Sequence, residues 1–247
     1  MLTRGSTGRS SPCGLGPPVN RSVSLQFMRV YNFQSAEHSL NNVSLSRIRV
    51  SRFSDVNDPF ELLAVNVGGR KDVRKHLAEW RTSLNSREGL LCFSSDWKNP
   101  VLWSHYAAKH RGICLGFDLD DTLAKRVRYQ SDRFVAKFDK PSVSEFELDS
   151  ALVDELRCTK YTHWEYESEV RVFVDLEGRA RESGSYFFPF GDQLALREVI
   201  LGPLCDIPIE SVRSLVTAMH SGAVVRKARL AFKWFQVVPD ERFEPAG

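Results

Sequence analysis

From Leu90 to Phe117 the chain reads LLCFSSDWKNPVLWSHYAAKHRGICLGF. Leu90 to Phe93 is an apolar run too short for a buried helix, and it reads as a strand. Asn99 to Lys109 reads as a helix, with Pro100 accommodated in the first turn, where its missing N–H costs nothing. Gly112 ends that helix. Ile113 to Phe117 is a second buried strand, closed by Asp118-Leu119-Asp120-Asp121. A strand, a helix and a strand so placed leave the fold class to the flanking elements.

Upstream, residues 70–87 carry Val73, Leu77, Trp80 and Leu84 at helical spacing, one apolar stripe. Gln26 to Phe33 and Ser44 to Phe53 read as strands, with a helical turn at Ser35 to Leu40 between them. Asp58 before Pro59 reads as the cap of a helix start. Downstream, Val127 to Val135 reads as an interrupted strand and residues 144–158 as a helix. Val170, Val172 and Val174 alternate with Arg171 and Phe173, a strand pattern. Glu198 to Leu201 follows as a strand, residues 209–220 as a helix, and Leu230, Phe232 and Trp234 as a last alternating strand. The order is irregular, so the expected class is α+β, with a mixed or antiparallel sheet flanked by helices in a single domain over residues 25–247.

Ten of the first twenty residues are Gly, Pro or Ser, and residues 1–24 are expected to form a disordered basic tail. The formal charge of +3 is set by the start of the chain. Arg4, Arg9, Arg21 and Arg29 stand there without an acidic residue among the first thirty, and without those four, 30 basic residues face 31 acidic ones. A near-neutral body argues against a broad nucleic-acid-binding face and leaves room for a local patch only. The five cysteines, at 13, 92, 114, 158 and 205, form no C-x-x-C pair. They read as buried thiols of a cytoplasmic protein, and no structural metal is expected. No apolar run is long enough to span a membrane.

Three polar-aromatic constellations carry the chemistry. Phe53 to Glu61 gathers Asp55, Asn57, Asp58 and Glu61 on one turn, where Asn57 and Asp58 can shape a ligand-facing loop. The second joins Ser94 and Ser95, at the end of a strand, to a helix with Trp103, His105 and Tyr106. The third is His163-Trp164-Glu165-Tyr166-Glu167-Ser168-Glu169-Val170-Arg171. As a continuous strand it would put Glu165, Glu167, Glu169 and Arg171 on one face and anchor Trp164 and Tyr166 on the other. Three neighbouring carboxylates repel, which raises their pKa values unless a ligand or a cation shares the face.

These constellations occur in this order in a prokaryotic family of domains of unknown function, the one numbered 2971, which the chain resembles from about Val30 to beyond Leu201. The matching pieces are Phe53 to Glu61, Trp103-Ser104-His105-Tyr106-Ala107, His110 to Phe117, Trp164 to Arg171, and Arg197-Glu198-Val199-Ile200-Leu201-Gly202. A more distant likeness is to the ADP-ribosyltransferase superfamily. Its members place an Arg or His on the first strand, a Ser at the end of a strand leading into a helix, and a Glu-x-Glu on a later strand. Arg29 with Tyr31, Ser94-Ser95, and Glu167-Ser168-Glu169 stand at those places, where the superfamily has a fuller Ser-Thr-Ser. The resemblance implies a split sheet and NAD as the dinucleotide bound.

In that reading Arg29 holds a phosphate or ribose, Ser94 orients the nicotinamide ribose and Tyr106 stacks on the nicotinamide. Glu169 holds the ribose 2′-hydroxyl and stabilises positive charge, and Glu167 positions or deprotonates the acceptor. Tyr31, Ser95, His105, Asn57 and Arg171 complete the expected ligand contacts. Two other classes compete. One is a non-catalytic nucleotide or nucleic-acid sensor, as in phage defence. The other is a metal-dependent hydrolase or nuclease using Glu165, Glu167, Asp58 and His105.

Overall fold

A computed structural model describes residues 26–135, 150–243, Met1 and Leu148. The expected tail therefore lies outside the described residues save for Met1, as does the start of the helix expected over 144–158. The strands are β1 (Phe27–Gln34), β2 (Arg47–Val50), β3 (Val65–Asn66), β4 (Glu88–Ser94), β5 (Ile113–Asp120), β6 (Lys125–Arg126), β7 (Arg128–Gln130), β8 (Phe134–Val135), β9 (Thr159–Tyr161), β10 (Glu169–Asp175), β11 (Tyr186–Pro189), β12 (Leu194–Leu201), β13 (Val224–Leu230) and β14 (Val237–Pro239). The helices are α1 (Ala36–Ser44), α2 (Lys71–Arg87), α3 (Pro100–Tyr106), α4 (Ser150–Arg157) and α5 (Ile209–Met219).

One mixed sheet organises these elements, in the order β14-β13-β12-β5-β1-β4-β10-β6. Its pairs are antiparallel except β12 with β13. The fold is α+β with helices on both faces, as the irregular element order implied. One face carries Val30, Leu91, Phe93, Phe117, Val170 and Val172 into the largest core cluster, beneath Val212 and Val216 of α5 and Ile48 and Val50 of β2. The opposite face is divided. Trp97, Trp103, Cys114 and Ile200 form one cluster there, and Phe53, Leu62, Leu84 and Leu90 another.

The sheet is unevenly joined. β1 pairs with β5 along its whole length, and β4 pairs with β10 along its whole length. β1 and β4 meet at a single register pair, Tyr31 with Ser94. Beyond it the backbones part, and Asn32 bridges the gap by donating Nδ2–H to the Cys92 carbonyl at 2.9 Å. Asn32 accepts in turn from Gln34 Nε2 at 2.5 Å, and Gln34 from Asn42 Nδ2 at 2.7 Å. The Asn32 amide thus satisfies the Cys92 carbonyl in place of a ladder partner, and Gln34 and Asn42 hold that amide.

Four local expectations are corrected. The run from Glu165 to Arg171 is not one strand. Thr162–Glu167 is a 3-10 helix, Ser168 is left-handed (φ 45°), and the strand starts at Glu169. Asp58-Pro59 starts no helix: the segment is a series of turns in which Asp58 Oδ1 accepts from the Phe60 N–H at 2.9 Å. The helix expected to Lys109 stops at Tyr106, because Ala108, Lys109 and His110 all take positive φ. The last alternating strand ends at Leu230, and Phe232 and Trp234 lie beyond it, 95% and 67% exposed.

Candidate functional site

The gap between β1 and β4 opens into a cleft of about 270 Å³. Tyr31, Asn32, Ser94, Asn57, Tyr106, Lys160, Glu167, Glu169 and Arg171 are among its lining residues. Because Ser94 pairs with Tyr31 on one side and with Glu169 on the other, these three stand in one row across three adjacent strands. Seven residues expected from sequence are thereby brought together: Tyr31, Ser94, Tyr106, Asn57, Glu167, Glu169 and Arg171.

Three expected residues are not among the cleft lining. Arg29 lies two residues before Tyr31, and its guanidinium pairs with Asp118 at 2.8 Å and Glu198 at 3.1 Å. Ser95 is exposed, and its N–H donates to the Ser168 carbonyl at 3.0 Å. His105 is exposed, with its ring 6.1 Å from that of Tyr166.

Local sequence explains how the carboxylates arrive. Asn99 caps α3 by accepting from the Val101 N–H at 2.9 Å, and its Nδ2 donates to the Tyr166 carbonyl at 3.0 Å. One side chain therefore ties the start of α3 to the 3-10 turn. That turn and left-handed Ser168 direct Glu167 inward while Glu165 stays exposed. The expected face of three repelling carboxylates does not form. Trp164 is half-buried instead of a core anchor, with the Lys160 ammonium 4.7 Å from its ring.

The charged groups form one buried network. Arg171 makes five hydrogen bonds: Nε and Nη2 to Glu169 at 2.8 and 2.9 Å, Nη1 and Nη2 to Glu61 at 2.6 and 3.0 Å, and Nη1 to the Arg157 carbonyl at 2.7 Å. These use its whole fork of donors. Lys160 Nζ donates to Glu167 Oε2 and, at 3.3 Å, to Glu169 Oε2. Tyr106 donates its hydroxyl to Glu167 Oε1 and accepts from Asn57 Nδ2 at 2.6 Å. The Glu169 N–H donates to Tyr129 Oη at 2.8 Å.

Burial by itself would raise the Glu169 carboxyl, but Arg171, and after it Lys160, outweigh burial and hold it down at about 2. Burial also raises Glu61, which Arg171 only partly offsets, so its carboxyl sits above the usual value. For Lys160 burial lowers the ammonium, and Glu169 and Glu167 more than reverse that. The Tyr106 phenol is driven far up, first by burial and then by its bond to Glu167. It stays a donor at every physiological pH. Three carboxylates against two cations leave the ionised network with one negative charge, in a place where water screens little.

Sequence reading missed Lys160, Glu61 and Asn32. Asn32 sits in a strand alternation that gives no sign of a sheet parting. Glu61 lay within a flagged constellation, but its partner is 110 residues away. Among the described residues no group of three or more His, Cys, Asp or Glu side chains is arranged to hold a metal ion, and no helix is long and apolar enough to cross a membrane.

A family model described as "Protein of unknown function (DUF2971)" matches residues 102–172. A domain of that description is therefore present. The match runs from α3 into β10 and takes in Tyr106, Lys160, Glu167, Glu169 and Arg171. No curated protein and no solved structure matches the chain.

Proposed function

We propose that the cleft binds a nicotinamide dinucleotide and breaks its nicotinamide–ribose bond, transferring ADP-ribose to an acceptor or to water. The observation that carries this reading is the row Tyr31, Ser94, Glu169, in register on three neighbouring strands where β1 and β4 share a single register pair. First-strand residue, strand-end serine and later-strand glutamate are the three elements of the ADP-ribosyltransferase likeness. Here Tyr31 takes the first-strand position in the cleft, and Arg29 is drawn off by Asp118 and Glu198.

The electrostatics support the same chemistry. A nicotinamide dinucleotide carries a positive pyridinium, and cleavage moves that charge to the ribose C1′. The C1′–N bond breaks with its electron pair going to the ring nitrogen, which releases neutral nicotinamide. An oxocarbenium-like centre remains until the acceptor or water adds to C1′. Glu169 is held ionised beside this path, and a fixed negative charge stabilises such a centre. Glu167, bonded to Tyr106 and Lys160, takes the proton that the acceptor loses. Arg171 acts through Glu169, whose two oxygens it holds.

Incubation of the chain with NAD and measurement of released nicotinamide tests the reading. The expected result is release by the wild type and its loss in Glu167→Gln. Absence of both NAD binding and nicotinamide release in well-folded wild type overturns it.

A further inference from the structure

β13 and β14 form the outer edge of the sheet, and the loop joining them carries Phe232, Lys233, Trp234 and Phe235. Phe232, Trp234 and Phe235 are 95%, 67% and 97% exposed. Three large aromatics in water within four residues is unusual for a surface without a partner. The exposure does not come from a frayed loop. The Ala231 N–H donates to the Gln236 carbonyl at 2.9 Å, the Gln236 N–H to the Trp234 carbonyl at 2.9 Å, and the Val237 N–H to the Lys98 carbonyl at 2.8 Å. The rings are held out by a closed, anchored hairpin.

Phe232 and Trp234 line a cleft of about 550 Å³ together with Arg226, Arg229, Lys233 and Glu241. Arg226 is held by Glu198 at 3.5 Å, so the basic character of the cleft rests on Arg229 and Lys233. The Arg229 guanidinium lies 5.3 Å from the Phe232 ring centroid, so cation and π-face are already adjacent. Lys233 has no ion pair among the described residues, which leaves its ammonium for an outside anion.

We propose that this hairpin cleft is a binding surface for single-stranded nucleic acid. Flat bases stack on aromatic faces while phosphates meet interleaved cations, a combination that tolerates any sequence. The concave arrangement favours this partner over a lipid surface. Arg229 and Lys233 line the same cleft as Phe232 and Trp234, so a base on a ring and its phosphate on a cation are held together, a pairing that a nucleotide strand supplies and an apolar acyl interior does not. The surface is distinct from the β1–β4 cleft, and the proposal stands whether or not that cleft turns over a dinucleotide.

The test is fluorescence anisotropy of fluorescein-labelled oligothymidylate and oligouridylate with the full chain at several salt concentrations. Binding is expected, weakening as salt rises. Trp234→Ala and Phe232→Ala should each weaken it by about 10-fold, the scale of one lost stacking contact. Lys233→Ala should lower the slope of log affinity against log salt by about 0.7, one single-strand phosphate contact. All three side chains are exposed loop positions, and an unchanged circular dichroism spectrum will show that the variants fold. Flat anisotropy at low salt overturns the proposal, as does binding that survives the Phe232→Ala/Trp234→Ala double variant. Aromatic-dependent binding to phosphatidylserine vesicles without oligonucleotide binding, or aromatic-dependent self-association in sedimentation, also overturns it.

Discussion

Arg171 grips Glu169 in parallel, Nε to Oε1 at 2.8 Å and Nη2 to Oε2 at 2.9 Å, with both side chains buried. The same guanidinium takes Glu61 at 2.6 Å. Glu169 is thus part of the framework of the site as well as a candidate for its chemistry. Glu169→Gln is expected to cost about 3 kcal/mol or more in stability, because one member of a buried, paired network is neutralised while its partners stay charged. Urea unfolding measures it. A variant as stable as the wild type would mean that the pairing does not hold the fold.

The pH dependence follows from the same carboxyl. Its folded value, about 2, lies below the ordinary 4.5. A depressed carboxyl contributes stability that is complete above the unfolded value and is lost as pH falls toward the folded one. The stability gap between wild type and Glu169→Gln should therefore be constant above about pH 4.5 and should close between there and pH 2. Glu61, raised by burial and in smaller part by Glu169, acts with the opposite sign in the wild type, and in the variant it loses the part due to Glu169. A gap that widens on acidification would contradict the assignment.

Tyr106→Phe separates positioning from folding. It removes the hydroxyl between Asn57 and Glu167 and keeps the ring. The expected stability loss is about 1 kcal/mol. Under the dinucleotide reading Glu167 loses one of its two fixed partners, so nicotinamide release should fall by about 10-fold or more with its pH profile displaced. Unchanged release and an unchanged profile would remove Tyr106 from the site's working parts.

Gly112 and Gly202 are fixed by close approach. A Cβ on Gly112 would lie 2.1 Å from the Gln34 carbonyl oxygen, and one on Gly202 would lie 2.3 Å from that of His110. Gly112→Ala and Gly202→Ala are each expected to cost about 3 kcal/mol, the upper range for overpacking, since backbone must shift. Thermal unfolding of each variant checks it; midpoints near the wild-type value would show that the strands slide apart easily.

Much of the frame was legible because it rests on periodicity. The stripe of Val73, Leu77 and Leu84 is buried on α2, and Val170, Val172 and Val174 fill the core face of β10. Of the candidate site, sequence named the cleft-lining residues whose type alone suggests chemistry, as at Glu167, Glu169 and Tyr106. It was illegible where a local pattern imitates another. Glu-x-Glu-x-Glu alternates like a strand, yet its first two members lie on a 3-10 turn closed by left-handed Ser168, a conformation that serine rarely announces. Phe232 and Trp234 continue an alternation past the end of their strand, and only the missing pairing partner shows it. Lys160 and Glu61 owe their roles to partners brought by tertiary structure, which no window of sequence contains.

The lone rung between Tyr31 and Ser94 makes the sheet mechanically uneven. Each half, β5 with β1 and β4 with β10, is a stiff leaf laced along its full length. The seam between them is stitched by one backbone pair and a thread of amides from Asn42 to Cys92. The cleft lies along that seam. The rung that crosses the seam is also the row of the candidate site, so Tyr31, Ser94 and Glu169 are the residues through which one leaf is registered against the other.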